Sequence, residues 1–199
     1  MESLRDKYTE NTRQALLDTG LRLFVERGYD KVSAEVLVRA AGLSRGALYG
    51  HFGGKSGLFE AIFNDLESHA AQRIRAAIDA VSDPFERVDR GVAVFLDVCG
   101  ENDYRQIVMV QGPIALGWER WRELDKHHLG SLLLAAVDTL RESGLVKPYP
   151  ADLIARAFFG SLTELCLGMA EAEDPVLARR QAADLIHDLI GGLMISDRP

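Results

Sequence analysis

Between Ser33 and Phe59 the chain gathers side chains suited to gripping a polyanion. Tyr49, His51 and Lys55 supply hydroxyl, imidazole and ammonium donors close together, and Arg45 adds a guanidinium just upstream. Donors of this kind around a helix N-terminus are what phosphate binding asks for. A guanidinium can also read a guanine through paired hydrogen bonds to O6 and N7. Each residue has an ordinary alternative: Arg45 as a solvated surface arginine, His51 as a packed structural imidazole. The elements that carry them must decide.

Ser33 reads as the cap of a short helix over 34–41, and Gly42 stops that helix because glycine reaches left-handed dihedrals without a Cβ penalty. Leu43 is an apolar plug, and Ser44 caps a second helix over 45–52. Such a helix-turn-helix sets its second helix steeply, so that its first residues can enter a DNA major groove. Leu48, Phe52, Leu58 and Phe59 supply the apolar faces that hold the platform to a core. Gly42-Leu43-Ser44 alone would suit any tight helical corner; the donors that follow point to DNA.

The run from Ala41 to Phe52, with Lys55 and Leu58 after it, resembles the DNA-binding domain of the tetracycline-repressor (TetR-type) family. Thr12 to Leu17, Leu23-Phe24, Gly28-Tyr29 and Ser33 fit the same pattern, so the resemblance covers about residues 9–66. It implies that Ser33 caps and offers its hydroxyl to a phosphate, that Ser44, Arg45 and Ala47 face base edges, and that Tyr49, His51 and Lys55 grip phosphates. Three departures stand out. Val38 occupies a position that is usually small, Gly50 one that is often large and polar, and Gly53-Gly54 with Ser56 replaces a turn that often carries proline or an acidic residue.

Further along, the chain reads as helix after helix. Arg13–Glu26 carries an apolar stripe, and a long helix from Lys55 to about Val81 runs out of the proposed head into the body. Pro84 opens the next helix, up to Gly100. Tyr104–Val110 follows, with breaks at Gly112-Pro113 and near Gly117; then come Trp118–Ser143, Pro150–Ala172 and Pro175–Met194. The expected fold is all-α: an N-terminal three-helix DNA-binding domain with a helix-turn-helix, residues 1–66, and a larger helical ligand-binding and dimerisation domain, residues 67–199.

Two sites are expected in the body. The last two helices are more apolar than one core-facing stripe needs, and Ala157, Gly160 and Ser161 would let another helix approach, with Leu165, Leu185 and Leu189 beside them. The family resemblance implies that these helices pair with their copies into a four-helix homodimer interface. It also implies an effector cavity among the body helices. Phe95, Met109, Trp118, Trp121, Leu134 and Phe158 could line it, with Gln111, His127 or His128 as polar contacts, which suits an apolar or aromatic small molecule.

Composition sets bounds. A hydrophobic content of 47 % supports a real core, and no apolar run approaches the length needed to span a membrane. The charged stretch 1–10 predicts no secretory signal, and Cys99 and Cys166 lack metal-ligand spacing, so a cytoplasmic protein with reduced thiols is expected. The net charge of −7 lies wholly in residues 67–199, because residues 1–66 hold nine basic and nine acidic groups. Within 36–59, Arg39, Arg45 and Lys55 meet no carboxylate, which predicts a positive reading face. His127-His128 near Glu123 and Asp125 invites a metal or acid–base reading, but adjacent histidines on a helix diverge and no third ligand is evident. No enzyme activity, cofactor or metal site is expected. The sequence therefore predicts a DNA-binding regulator, most simply a repressor that holds a palindromic operator as a dimer and leaves it on binding an effector. The alternative is a helical ligand-binding dimer that does not read DNA.

Overall fold

The computed structural model describes residues 4–195. The ends of the stretch 1–10 and of the unit 67–199 therefore lie partly outside the described residues. The described chain is all-α, in the order α1 (Leu4–Arg27), α2 (Ala34–Ala41), α3 (Arg45–Phe52), α4 (Lys55–Asp79) and α5 (Pro84–Gly100). There follow α6 (102–116), α7 (118–142), α8 (Ala151–Glu171) and α9 (Pro175–Leu193). The one β-type pairing among the described residues is a bridge between Val146 and Met194.

Local chemistry sets most of the boundaries. Asp83 caps α5 by accepting from the Phe85 and Glu86 amides at 2.9 Å, and Asp174 does the same for α9 through Val176 and Leu177. Each cap is followed by a proline, whose missing N–H costs nothing in the first turn. α1 begins well before Arg13, since nothing between Leu4 and Thr12 breaks a helix.

Two expectations are corrected. Gly112-Pro113 does not break α6: residues Arg105–Gln111 open into wider, π-type turns and the chain stays helical to Leu116. Proline cannot donate to the carbonyl one turn back, and the wider turns absorb that missing bond. α7 likewise contains a π-type stretch at Lys126–Gly130, so the helix expected over Trp118–Ser143 is continuous but not uniform.

The head is built on aromatic contacts between Phe24, Tyr29 and Phe59, whose ring centroids lie 5.0–5.6 Å apart. Leu16, Phe24, Leu37, Leu48, Leu58 and Phe59 are fully buried there. α4 then runs without a break through residue 66, and its stripe Phe63, Ala70 and Ile74 continues into the body core. Its 25 residues span about 37 Å, so one rod belongs to both cores.

α3 and α4 meet at a contact that only glycine allows. A Cβ on Gly57 would lie 1.8 Å from the Phe52 carbonyl oxygen. Gly57→Ala must push α3 off α4, and is expected to destabilise the head by about 3 kcal/mol or more, read as a lower urea midpoint. A midpoint equal to that of the unsubstituted protein would show that the close approach is not needed.

Candidate nucleic-acid interface and the body cavity

The turn between α2 and α3 is fixed from both sides. Ser33 Oγ accepts from the Val36 amide at 3.3 Å, and Gly42 ends α2 at φ 66° with the Leu43 amide donating back to the Val38 carbonyl at 2.9 Å. Ser44 Oγ then accepts from the Ala47 amide at 3.2 Å and starts α3. Val38 is accommodated half-buried against the core. With Leu48 buried behind, α3 presents Ser44, Arg45, Tyr49 and the bare backbone of Gly46 and Gly50 to solvent, with Ala47 half-buried. His51 is half-buried beside Phe52, and Ser33 is exposed.

Arg45 is already oriented. Its Nη1 donates to Glu35 Oε1 at 2.8 Å, its Nη2 lies 3.4 Å from the Tyr49 hydroxyl, and its guanidinium sits 5.4 Å from the Tyr49 ring centroid. The Glu35 carboxyl is held below its ordinary pKa, first by hydrogen bonding to its own backbone and then by Arg45. The reading face is thus less purely positive than expected. The carboxylate-free window ends one residue short of Glu35, and the helix-turn-helix folds that residue back onto Arg45.

Lys55 also has an internal partner. Its Nζ donates to the Tyr29 carbonyl at 3.1 Å and lies 3.8 Å from the Tyr29 ring centroid, which ties the start of α4 to the α1–α2 loop. That loop is held from its other side by Gln111, placed in the effector pocket by sequence reasoning. Gln111 Oε1 instead accepts from the Tyr29 amide at 2.8 Å, and its Nε2 donates to the Phe24 carbonyl at 3.0 Å. It bolts the body to the head because the end of α1 offers a carbonyl and an amide side by side.

The body holds a partly open cavity of about 180 Å³ between α4, α5, α6, α7 and α8. Phe95 and Met109, both expected at a pocket, are in its wall beside Ile74, Leu129, Leu133 and Phe159. The other residues expected there lie elsewhere. Trp121 is buried with its indole N–H donating to the Val108 carbonyl at 2.8 Å, and Trp118 stacks outside it, largely exposed. His127 and Leu134 face solvent, and Phe158 packs around a smaller void behind the wall. His128 meets Asn64 across 3.0 Å. The π-type stretch Lys126–Gly130 shifts the faces of His127, His128 and Leu134 from those an even helix would present, whereas Trp118 and Trp121 precede it and Phe158 sits on α8.

Sequence reasoning missed the cavity's acidic end. Asp125 lies in its wall, 6 % exposed, and behind it stands Glu67, fully buried on α4. Glu67 Oε1 accepts from the Tyr104 hydroxyl at 2.8 Å, while Oε2 has no hydrogen-bond partner. Burial pushes the Asp125 carboxyl up to about 7, with Arg122 opposing. Burial, and then the nearby Asp125, raise Glu67 well above the carboxylate range. Both acids occupy core-facing positions, Glu67 between Phe63 and Ala70 and Asp125 between Trp121 and Leu129. That misplaced polarity was the available signal. Among the described residues no group of three or more potential metal ligands converges, and no helix is long and apolar enough to cross a membrane.

An exposed reading helix on a capped helix-turn-helix, joined by a shared rod to a hollow helical body, defines a helix-turn-helix regulatory protein. The comparisons identify it further. Residues 16–62 match the family "Bacterial regulatory proteins, tetR family", and residues 85–193 match "Tetracyclin repressor-like, C-terminal domain". The chain is 43 % identical over 63 residues to the HTH-type transcriptional regulator AcrR of Shigella flexneri; the match covers 32 % of this chain and only 29 % of that one. It is 23 % identical over 151 residues to the transposon Tn10 TetC protein of Escherichia coli, covering 76 % of each. A solved TetR-family regulator from Pectobacterium atrosepticum superposes with a TM-score of 0.79 at 29 % identity, covering 96 % of this chain and 98 % of that one. The protein belongs to the TetR family.

Asp125 makes stability depend on pH. The folded carboxyl resists ionisation and the unfolded one does not, so its contribution is complete in acid and is lost as pH rises through about 7. Asp125→Asn removes the ionisation, and its urea midpoint relative to the unsubstituted protein is expected to rise between about pH 4.5 and pH 8. An offset that is the same at both values would contradict the assignment.

Proposed function

We propose that the protein represses transcription by holding a palindromic DNA operator as a homodimer, with residues 1–66 as reading head and 67–199 as effector-binding and dimerisation body. The observation that carries this reading is α3 itself, with Leu48 sealed into the core and Arg45 and Tyr49 outward on a doubly capped turn. Arg45 exchanges its bond to Glu35 for a base edge flanked by Ser44 and Ala47. Ser33, Tyr49, His51 and Lys55 fix register on the phosphates.

A second copy supplies the other half-site. On α8 and α9, Leu153, Leu185 and Leu189 stand about half exposed beside Ala157 and Gly160, and a Cβ on Gly160 or Gly168 would meet open space. Ser161 and Leu165 flank that face, half-buried. A twofold pairing there puts two reading helices on successive major grooves, roughly 34–36 Å apart.

Cavity occupancy is the input. Met109 is in the cavity wall and Gln111 is fastened to the head, both on the same π-type stretch. A ligand that fits better when this stretch shifts moves the head, and only that difference in affinity drives release.

The test is selection of bound duplexes from a random pool. One palindromic site is expected, and Arg45→Ala relaxes preference at one base pair per half-site by about 1–3 kcal/mol. Lys55→Ala weakens all duplexes alike and reduces the salt slope by about 1. Failure to enrich any site with folded protein at low salt would leave a ligand-binding dimer that does not read DNA. Leu185→Glu with Leu189→Glu is expected to give monomers in sedimentation, since two buried charges per protomer would face their copies; dimers of unchanged strength would place the interface elsewhere.

A further inference from the structure

The cavity's polar lining is unbalanced. Besides Asp125 it contains Arg87, Thr139 and Thr163. Thr139 and Thr163 donate to the Ala135 and Phe159 carbonyls of their own helices, and Arg87 is engaged at 3.4 Å by the Val81 carbonyl and by Asp79. Burial and the charge of Arg122, with no hydrogen bond, set the state of the Asp125 carboxyl, and Glu67 behind it has one free oxygen. The acidic cluster therefore holds two carboxyls and a single donor, the Tyr104 hydroxyl. The rest of the wall is aliphatic, aromatic or thioether.

Resting on the reading of this cavity as the effector site, we infer that its ligand is an amine: an apolar or aromatic body about one ring in size, bearing a protonated nitrogen that donates to Asp125. The volume of about 180 Å³ suits one ring with a short arm. An ammonium carries three donors, which two donor-poor buried carboxyls lack, and brings a charge from the cavity side in addition to the field of Arg122. Phe95 and Phe159 flank the ring, and Asp125 ionises when the ammonium arrives. A metal ion fits worse, because hard divalent cations take about six oxygen ligands and no such group converges here.

The experiment is calorimetric titration of the DNA-free protein with three probes of one shape and different charge: 2-phenylethylamine, 2-phenylethanol and phenylacetate. The amine is expected to bind about tenfold or more tightly than the alcohol, with phenylacetate weakest. Asp125→Asn, whose folding is verified by its urea transition, should remove the amine's advantage while keeping weak binding of the alcohol. Phenylacetate binding as tightly as the amine, equal binding of amine and alcohol, an amine preference that survives Asp125→Asn, or no binding by any probe would each overturn the inference. Because no DNA is present, this failure is separate from a failure to find an operator.

Discussion

One side-chain amide sets the relation between the two parts of the molecule. Gln111 accepts from the Tyr29 amide and donates to the Phe24 carbonyl, which also accepts from the Gly28 amide, so a single neutral group engages both signs of backbone dipole where α1 ends. A carboxamide presents an acceptor and a donor side by side, and the length of glutamine carries them across from a neighbouring helix. Lys55 secures the same loop from the head side. The α1–α2 connection is thereby clamped between the body and α4, and the reading helix inherits its orientation from that clamp.

The features that shape the body cavity are also the ones that weaken the fold. The wide turns of α6 and α7 give up regular helical bonding around the cavity, and two carboxyls are kept out of water with one donor between them. A core of the same size filled with leucines would be more stable and would hold no cavity. Stability comes from elsewhere: the aromatic triangle of the head, the Gly57 contact between α3 and α4, and the continuous apolar stripe of α4.

What could be read in the sequence was what is local. Caps at Ser33 and Ser44, the prolines that open α5 and α9, the stop at Gly42 and the stripe of α4 depend on neighbours a turn away, and so the helices and the helix-turn-helix were legible. Pro113 was read as a break because its missing bond was legible while the wider turn that absorbs it was not. Gln111 and Asp125 depend on contacts across the fold. Gln111 sits in an apolar stretch that looks like a pocket wall, and its partners are 82 and 87 positions away. Glu35 shows the same limit at short range, since only the folded turn brings it onto Arg45. The acids at 67 and 125 were visible as polar residues on apolar stripes, but periodicity alone does not say that a cavity lies in front of them.

The most direct test of this account is amide hydrogen exchange, followed by NMR, in the protein and in Gln111→Met. Methionine keeps the length and apolar stem of the side chain but carries neither the acceptor nor the donor. If the amide bolt fixes the head, exchange at the Tyr29 amide and in the last turn of α1 should quicken about tenfold or more while the α8 and α9 cores stay protected. Unchanged protection at Tyr29, or an even loss across the whole chain, would contradict it and leave α4 alone as the link between body and head.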